Sequence, residues 1–183
     1  MAVNSQAQAW INSFLRARGL QKPTGSPLYS YHVSEEEFAS LTSALRNTPQ
    51  QLYSPVYGPA WAAAFCIYVA EQYRRDYQKD WKWQSFEANL NLELSAAEHG
   101  EVVTKGLNFW NRDVQRRAYG KDYLGSVLSE GGLSWARIQS EQHGFARAVS
   151  GALKRYYSLI NSTSNLKDVI REYSVYFPKT FQT

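Results

Sequence analysis

"PAWAAAFCIYVAEQYRRDYQKDWKW", residues 59–83, is the stretch on which the reading of the chain turns. Steps of four from Trp61 pass through Phe65, Val69, Tyr73, Tyr77 and Trp81, the spacing that lines up side chains on one face of a helix. Pro59 suits a first helical turn, because its ring fixes φ and its missing N–H would have no helical partner there. The most apolar part, residues 59–70, is 12 residues long. A bilayer span needs roughly 20, so the sequence predicts a buried helix and no anchor. The tail, "RRDYQKDWKW" (74–83), mixes Arg74, Arg75, Lys79 and Lys82 with large rings, as a surface for stacking bases and neutralising phosphates would. Helical spacing accounts for more of it. Tyr77 and Trp81 continue the core line, Glu71 stands four before Arg75, and Asp76 stands three before Lys79, so cations and acids meet along the helix. Trp83 then starts a further helical spacing with Phe86 and Leu90.

The same period recurs on both sides, and no sustained two-residue alternation bounded by hairpin turns is found. The fold class read from this is all-α: an irregular orthogonal bundle of about eight helices in one domain over residues 1–183. A first helix over about 5–18 carries Trp10, Ile11, Phe14 and Leu15, and Gly19 ends it. "SEEEF" starts a second, with Ser34 and Glu37 as a capping box and Phe38, Leu41 and Leu45 on one face. Ser95 and Glu98 repeat that box before a stripe of Val102, Val103, Leu107 and Trp110, a helix that should end near Asn111. "KDYLGSVLSEGG" reads as a short helix with Tyr123, Leu124 and Leu128 on one side, closed at Gly131 or Gly132. Two more are expected, over about 141–160 and over 166–177, ending at Pro178.

The chain contains 27 aromatics among its 183 residues, enough large rings to build a core without disulfide or metal. Cys66 is the single cysteine, and an apolar surrounding would raise its thiol pKa, so it is read as an inert small hydrophobe. With no signal-peptide pattern at the start, a reducing cytoplasm is expected.

Templates for catalysis mostly fail. "GKDYLGS" offers Gly120, Gly125 and Ser126 but lacks the lysine of a phosphate-cradling loop. His32, His99 and His143 are far apart, and His99 beside Glu98 and Glu101 suggests at most a hydrated cluster, with Glu98 already used by the cap. Asp80 and Lys82 in "DWK" resemble a nuclease pair placed at a helix end, where a strand is wanted. No metal, cofactor or catalytic residue is assigned.

The charge is uneven. The net charge is +4, and residues 105–155 hold nine cations and four acids, which accounts for the whole surplus. Arg112, Arg116, Arg117 and Lys121, with Arg147, Lys154 and Arg155 on a separate helix, are the candidate nucleic-acid contacts; Arg112, Arg116 and Arg117 would lie within about one and a half turns if helical. The bland alternative is scattered, solvated and partly paired side chains.

Three stretches, "FLRARGLQKPTGSPLYSYHVSEEEF" (14–38), "YVAEQYRRDYQKDWKWQSF" (68–86) and "GLNFWNRDVQRRAYGKDYLGSVLSEGGLS" (106–134), together resemble the amino-terminal part of a family of very long bacterial proteins. Those proteins are carried on genomic islands beside helicases, in antiphage defence loci of the Druantia type. The resemblance implies a domain of a larger cytosolic protein, and it carries over no catalytic residue. Three functions follow in order: a non-catalytic scaffold binding a protein partner or another part of its own assembly, a DNA-binding module using residues 105–155, and an enzyme whose site assembles from distant residues. A membrane partner is not expected.

Overall fold

The computed structural model describes residues 3–46, 58–76, 81–118 and 120–132, with residue 150. The chain divides into two compact units, Met1–Gly132 and Leu133–Thr183, and every element below belongs to the first. The helices expected over 141–160 and 166–177 lie outside the described residues.

The described part is mainly α-helical. Six α-helices, against the eight expected for the whole chain, occur among the described residues: α1 (Val3–Ala17), α2 (Glu35–Arg46), α3 (Pro59–Arg75), α4 (Trp83–Glu87), α5 (Ala96–Phe109) and α6 (Tyr123–Glu130). Single 3₁₀ turns follow at Leu28–Tyr31 and Ala88–Leu90. The sequence reading missed a small antiparallel ribbon, β1 (Arg116–Arg117) with β2 (Gly120–Lys121). Strands of two residues are too short to show an alternating pattern.

Local chemistry sets the helix ends. Gly19, at φ +67°, turns the chain after α1 while the Leu20 and Gly19 amides donate to the Leu15 and Arg16 carbonyls. Both capping boxes form: Ser34 Oγ accepts from Glu37 N and Glu37 returns to Ser34 N, and Ser95 and Glu98 do the same. Pro59 occupies the first turn of α3. That helix stops sooner than its stripe suggests, because Asp76 adopts extended backbone at φ −109°, ψ 157°. Trp81, partly buried, nevertheless packs against the core, on Tyr73 at 5.6 Å and Phe86 at 4.9 Å. Tyr77 and Lys79 lie outside the described residues.

The core is centred on α3, which is buried on all sides from Ala60 to Glu71, as a helix apolar all round must be. It packs most extensively against α5, with α1, α2 and α6 around it. Gly106 permits that closeness: a Cβ there would strike the Ala62 carbonyl oxygen and the Cys66 sulfur. Trp110, fully buried, donates its Nε1 proton to Ala63 O at 3.0 Å and meets the Tyr31 ring at 5.0 Å. In α6 Val127 is fully buried, and the expected Tyr123, Leu124 and Leu128 are partly buried against the core. No helix among the described residues is long and apolar enough to cross a membrane.

Candidate functional site

Buried carboxylates organise the polar chemistry of this unit. Glu71, 3% exposed, accepts from Arg74 (Nη2 at 2.7 Å) and from Arg75 Nε at 3.0 Å. Arg75 also donates to Val33 O at 2.8 Å, pairs with Glu35 and lies over the Phe38 ring at 4.7 Å. Arg75 therefore clamps α3 to α2 and the segment before it, while Arg74 stays with Glu71 on its own helix. A comparable knot holds α1: the Arg18 fork meets both Glu37 oxygens at 2.7 and 2.8 Å, donates to the Tyr31, His32 and Phe14 carbonyls, and lies 3.6 Å from the Phe14 ring centre. The Arg18 hydrogen bond holds the Glu37 carboxyl below its ordinary pKa. The Ser95 hydrogen bond does the same for Glu98.

His99 is not in a hydrated cluster. Its Nε2 lies 2.6 Å from Glu87 Oε1, its ring stacks on Trp83 at 4.3 Å, and Glu87 also accepts from Leu94 N at 3.1 Å. Both residues are buried, so the pair is a tie between α4 and α5. Sequence reasoning missed it because the two lie 12 residues apart across a turn. Burial drives the Cys66 thiol pKa strongly upward, which fits the inert reading. No group of three or more His, Cys, Asp or Glu that could hold a metal occurs among the described residues.

The "GKDYLGS" loop is committed to structure. Asp122 Oδ1 accepts from Gly125 N at 2.8 Å and caps α6, while Ser126 Oγ accepts from Gln115 N at 2.7 Å and donates to Asp122 O. Lys82, of the nuclease-like "DWK", is an extended residue before α4. Asp80 lies outside the described residues.

The structure separates the proposed cations. Arg112 turns inward: its Nε donates to Glu130 Oε1 at 2.9 Å and its Nη1 to Gly25 O at 3.2 Å, while Glu130, 5% exposed, also accepts from Leu28 N at 3.1 Å. Arg116 and Arg117 are not on a helical turn with it, because α5 ends at Phe109 and they form β1. Arg117 pairs with Asp122 at 2.7 Å yet remains 61% exposed. Arg116 and Lys121 stand directly opposite each other in the ribbon, both exposed, and neither has an ion-pair partner among the described residues. Arg147, Lys154 and Arg155 lie outside the described residues, so their place beside the ribbon is not described.

Comparison with known proteins adds a family. Residues 2–133 match the family described as "YjiT N-terminal domain", nearly the same span as the first compact unit. "Protein YjiT" of Escherichia coli (strain K12) is 32% identical over 152 residues, covering 81% of this chain and 29% of that protein. The chain thus spans less than a third of the relative's length. No solved structure matches. The chain belongs to the YjiT N-terminal domain family.

Proposed function

We propose that this member of the YjiT N-terminal domain family is a non-catalytic helical interaction module. It holds a protein partner, or another part of a longer chain, within a cytoplasmic bacterial antiviral assembly. The observation that carries this reading is the commitment of the interior: the buried polar residues of the described part all have partners within the fold, Glu71 on its own helix and Glu87, His99, Ser126 and Glu130 across to neighbouring segments. A reacting site needs polar groups left free to meet a substrate. The length relation to the Escherichia coli protein supports a module within something larger, and the resemblance to long proteins of antiphage loci supports the defence setting.

Tyr29, 46% exposed, is the large hydrophobic that stands out among the described residues. Co-purification of the intact gene product from infected and uninfected cells, followed by reconstitution with the purified partner, tests the module. Direct binding without turnover is the expected result; a partner-free protein that consumes a substrate would defeat the reading.

A second reading, DNA binding by the basic 105–155 region, is favoured by one specific observation. The ribbon presents two opposed cations, Arg116 and Lys121, that have no ion-pair partner among the described residues.

A further inference from the structure

We infer that the ribbon formed by β1 and β2 is a phosphate clamp, in which Arg116 and Lys121 close from opposite strands on the sugar–phosphate backbone of a nucleic acid. The inference rests on the second, nucleic-acid reading and gives it a place and a geometry.

The register comes first. Arg116 is paired with Lys121 and Arg117 with Gly120, so Arg116 and Lys121 share a face. Directly opposite residues of an antiparallel pair hold their Cβ atoms about 4.5–5.5 Å apart, and like charges in that position are destabilising. Two-stranded hairpins are themselves marginal in water. A two-residue ribbon with opposed cations should therefore splay unless something else holds it.

It is held from below. Asp122 N donates to Gln115 O at 3.1 Å, Gln115 N to Ser126 Oγ at 2.7 Å, and Gln115 Nε2 to Ser129 Oγ at 2.7 Å, so the base of the ribbon is bound to α6 along two turns. Asp122 binds Arg117 and caps α6 with its other oxygen. That acid pairs with Arg117 and not with the opposed pair. Asp113, the other nearby acid in sequence, is exposed and has no ion-pair partner among the described residues. The fold thus fixes two like charges side by side, and no acid among the described residues neutralises them. One phosphate satisfies both: the Arg fork can take two oxygens while the Lys ammonium meets the same group as a point charge.

The surroundings favour nucleic acid over an acidic protein. Gln115, Arg116, Arg117, Ala118, Gly120 and Lys121 are all exposed and contribute no large apolar side chain. Protein interfaces draw most of their affinity from buried aromatic or aliphatic anchors, whereas phosphate contacts need none. Tyr119, between the strands, lies outside the described residues.

The test is fluorescence anisotropy of a short labelled DNA duplex, and of its single strand, with the full chain as wild type and as Arg116→Glu/Lys121→Glu. Both cations are exposed, so the variant should unfold in urea like the wild type. Losing the one phosphate that the two cations share lowers the salt dependence: between about 50 and 200 mM salt the wild-type affinity should fall about threefold more than that of the variant. The milder Arg116→Gln/Lys121→Gln variant should move the same way by less. Wild-type binding that both variants leave unchanged would overturn the clamp and leave the nucleic-acid reading standing on other residues. Absence of wild-type binding to duplex and single strand at about 50 mM salt would overturn both. Binding of polyglutamate, but not DNA, through Arg116 and Lys121 would overturn the clamp in favour of an acidic protein partner.

Discussion

Two arginine doublets, Arg74–Arg75 at the end of α3 and Arg116–Arg117 in β1, have identical local chemistry and opposite fates. On the helix, Glu71 precedes them by three and four residues, so both guanidinium groups curl back onto one carboxylate that is 3% exposed. On the strand, neighbouring side chains point to opposite faces, so one acid cannot collect both. Asp122 takes Arg117, while Arg116 faces Lys121. A cationic doublet is therefore mortar or surface according to the period of the backbone that carries it. Composition alone does not distinguish the two.

The comparison can be broken most severely at its acid. Glu71→Ala leaves two largely covered guanidinium groups without their carboxylate and should cost about 4 kcal/mol in urea unfolding. A loss below about 1 kcal/mol would mean that the helix doublet is merely a surface pair. Glycines of the two regions give the next contrast. Gly106→Ala should cost about 3 kcal/mol, because the added methyl would strike Ala62 O and lie 2.5 Å from Cys66 Sγ in the α3–α5 crossing. Gly120→Ala meets nothing within 4 Å and should cost about 1 kcal/mol, from its φ of +124° alone.

A pH titration sharpens the interior half. The Glu37 carboxyl is lowered from an ordinary value of 4.5, chiefly by Arg18. A depressed folded-state pKa contributes stability that is complete above the unfolded value and lost as pH falls through the folded one. Stability should decline as pH drops below about 4.5, and Glu37→Gln should flatten that decline in chemical denaturation at successive pH values. The smallest effect belongs to the ribbon. Lys121→Glu replaces an opposed like-charge pair by an opposite one and should raise stability by about 0.2–1 kcal/mol while weakening anion binding.

Much of the helical frame was legible in the sequence because its determinants are local. Ser34 with Glu37, Ser95 with Glu98, Pro59 and Gly19 mark boundaries through bonds within four or five residues, and each acts as read. Failures came where the determinant is distant. The stripe through Tyr77 and Trp81 kept helical spacing past the true end of α3, although Trp81 does pack against Phe86 of the core. Glu87 with His99 and Glu130 with Arg112 are joined across 12 and 18 residues, separations that no local pattern reports. Of the candidate surface, the cationic window was visible as charge. The partition of Arg112 inward and Arg116 and Lys121 outward required the ribbon, whose strands are too short to leave a period.

The most direct measurement is a pair of urea unfolding curves, for Arg74→Ala/Arg75→Ala and for Arg116→Ala/Arg117→Ala. Removing the helix doublet strands a buried Glu71 and should cost about 3 kcal/mol or more. Removing the ribbon doublet breaks one exposed pair with Asp122 and should cost no more than about 1 kcal/mol. Equal losses, or a larger loss for the ribbon, would contradict the division between an interior held by its charges and an exterior that offers them.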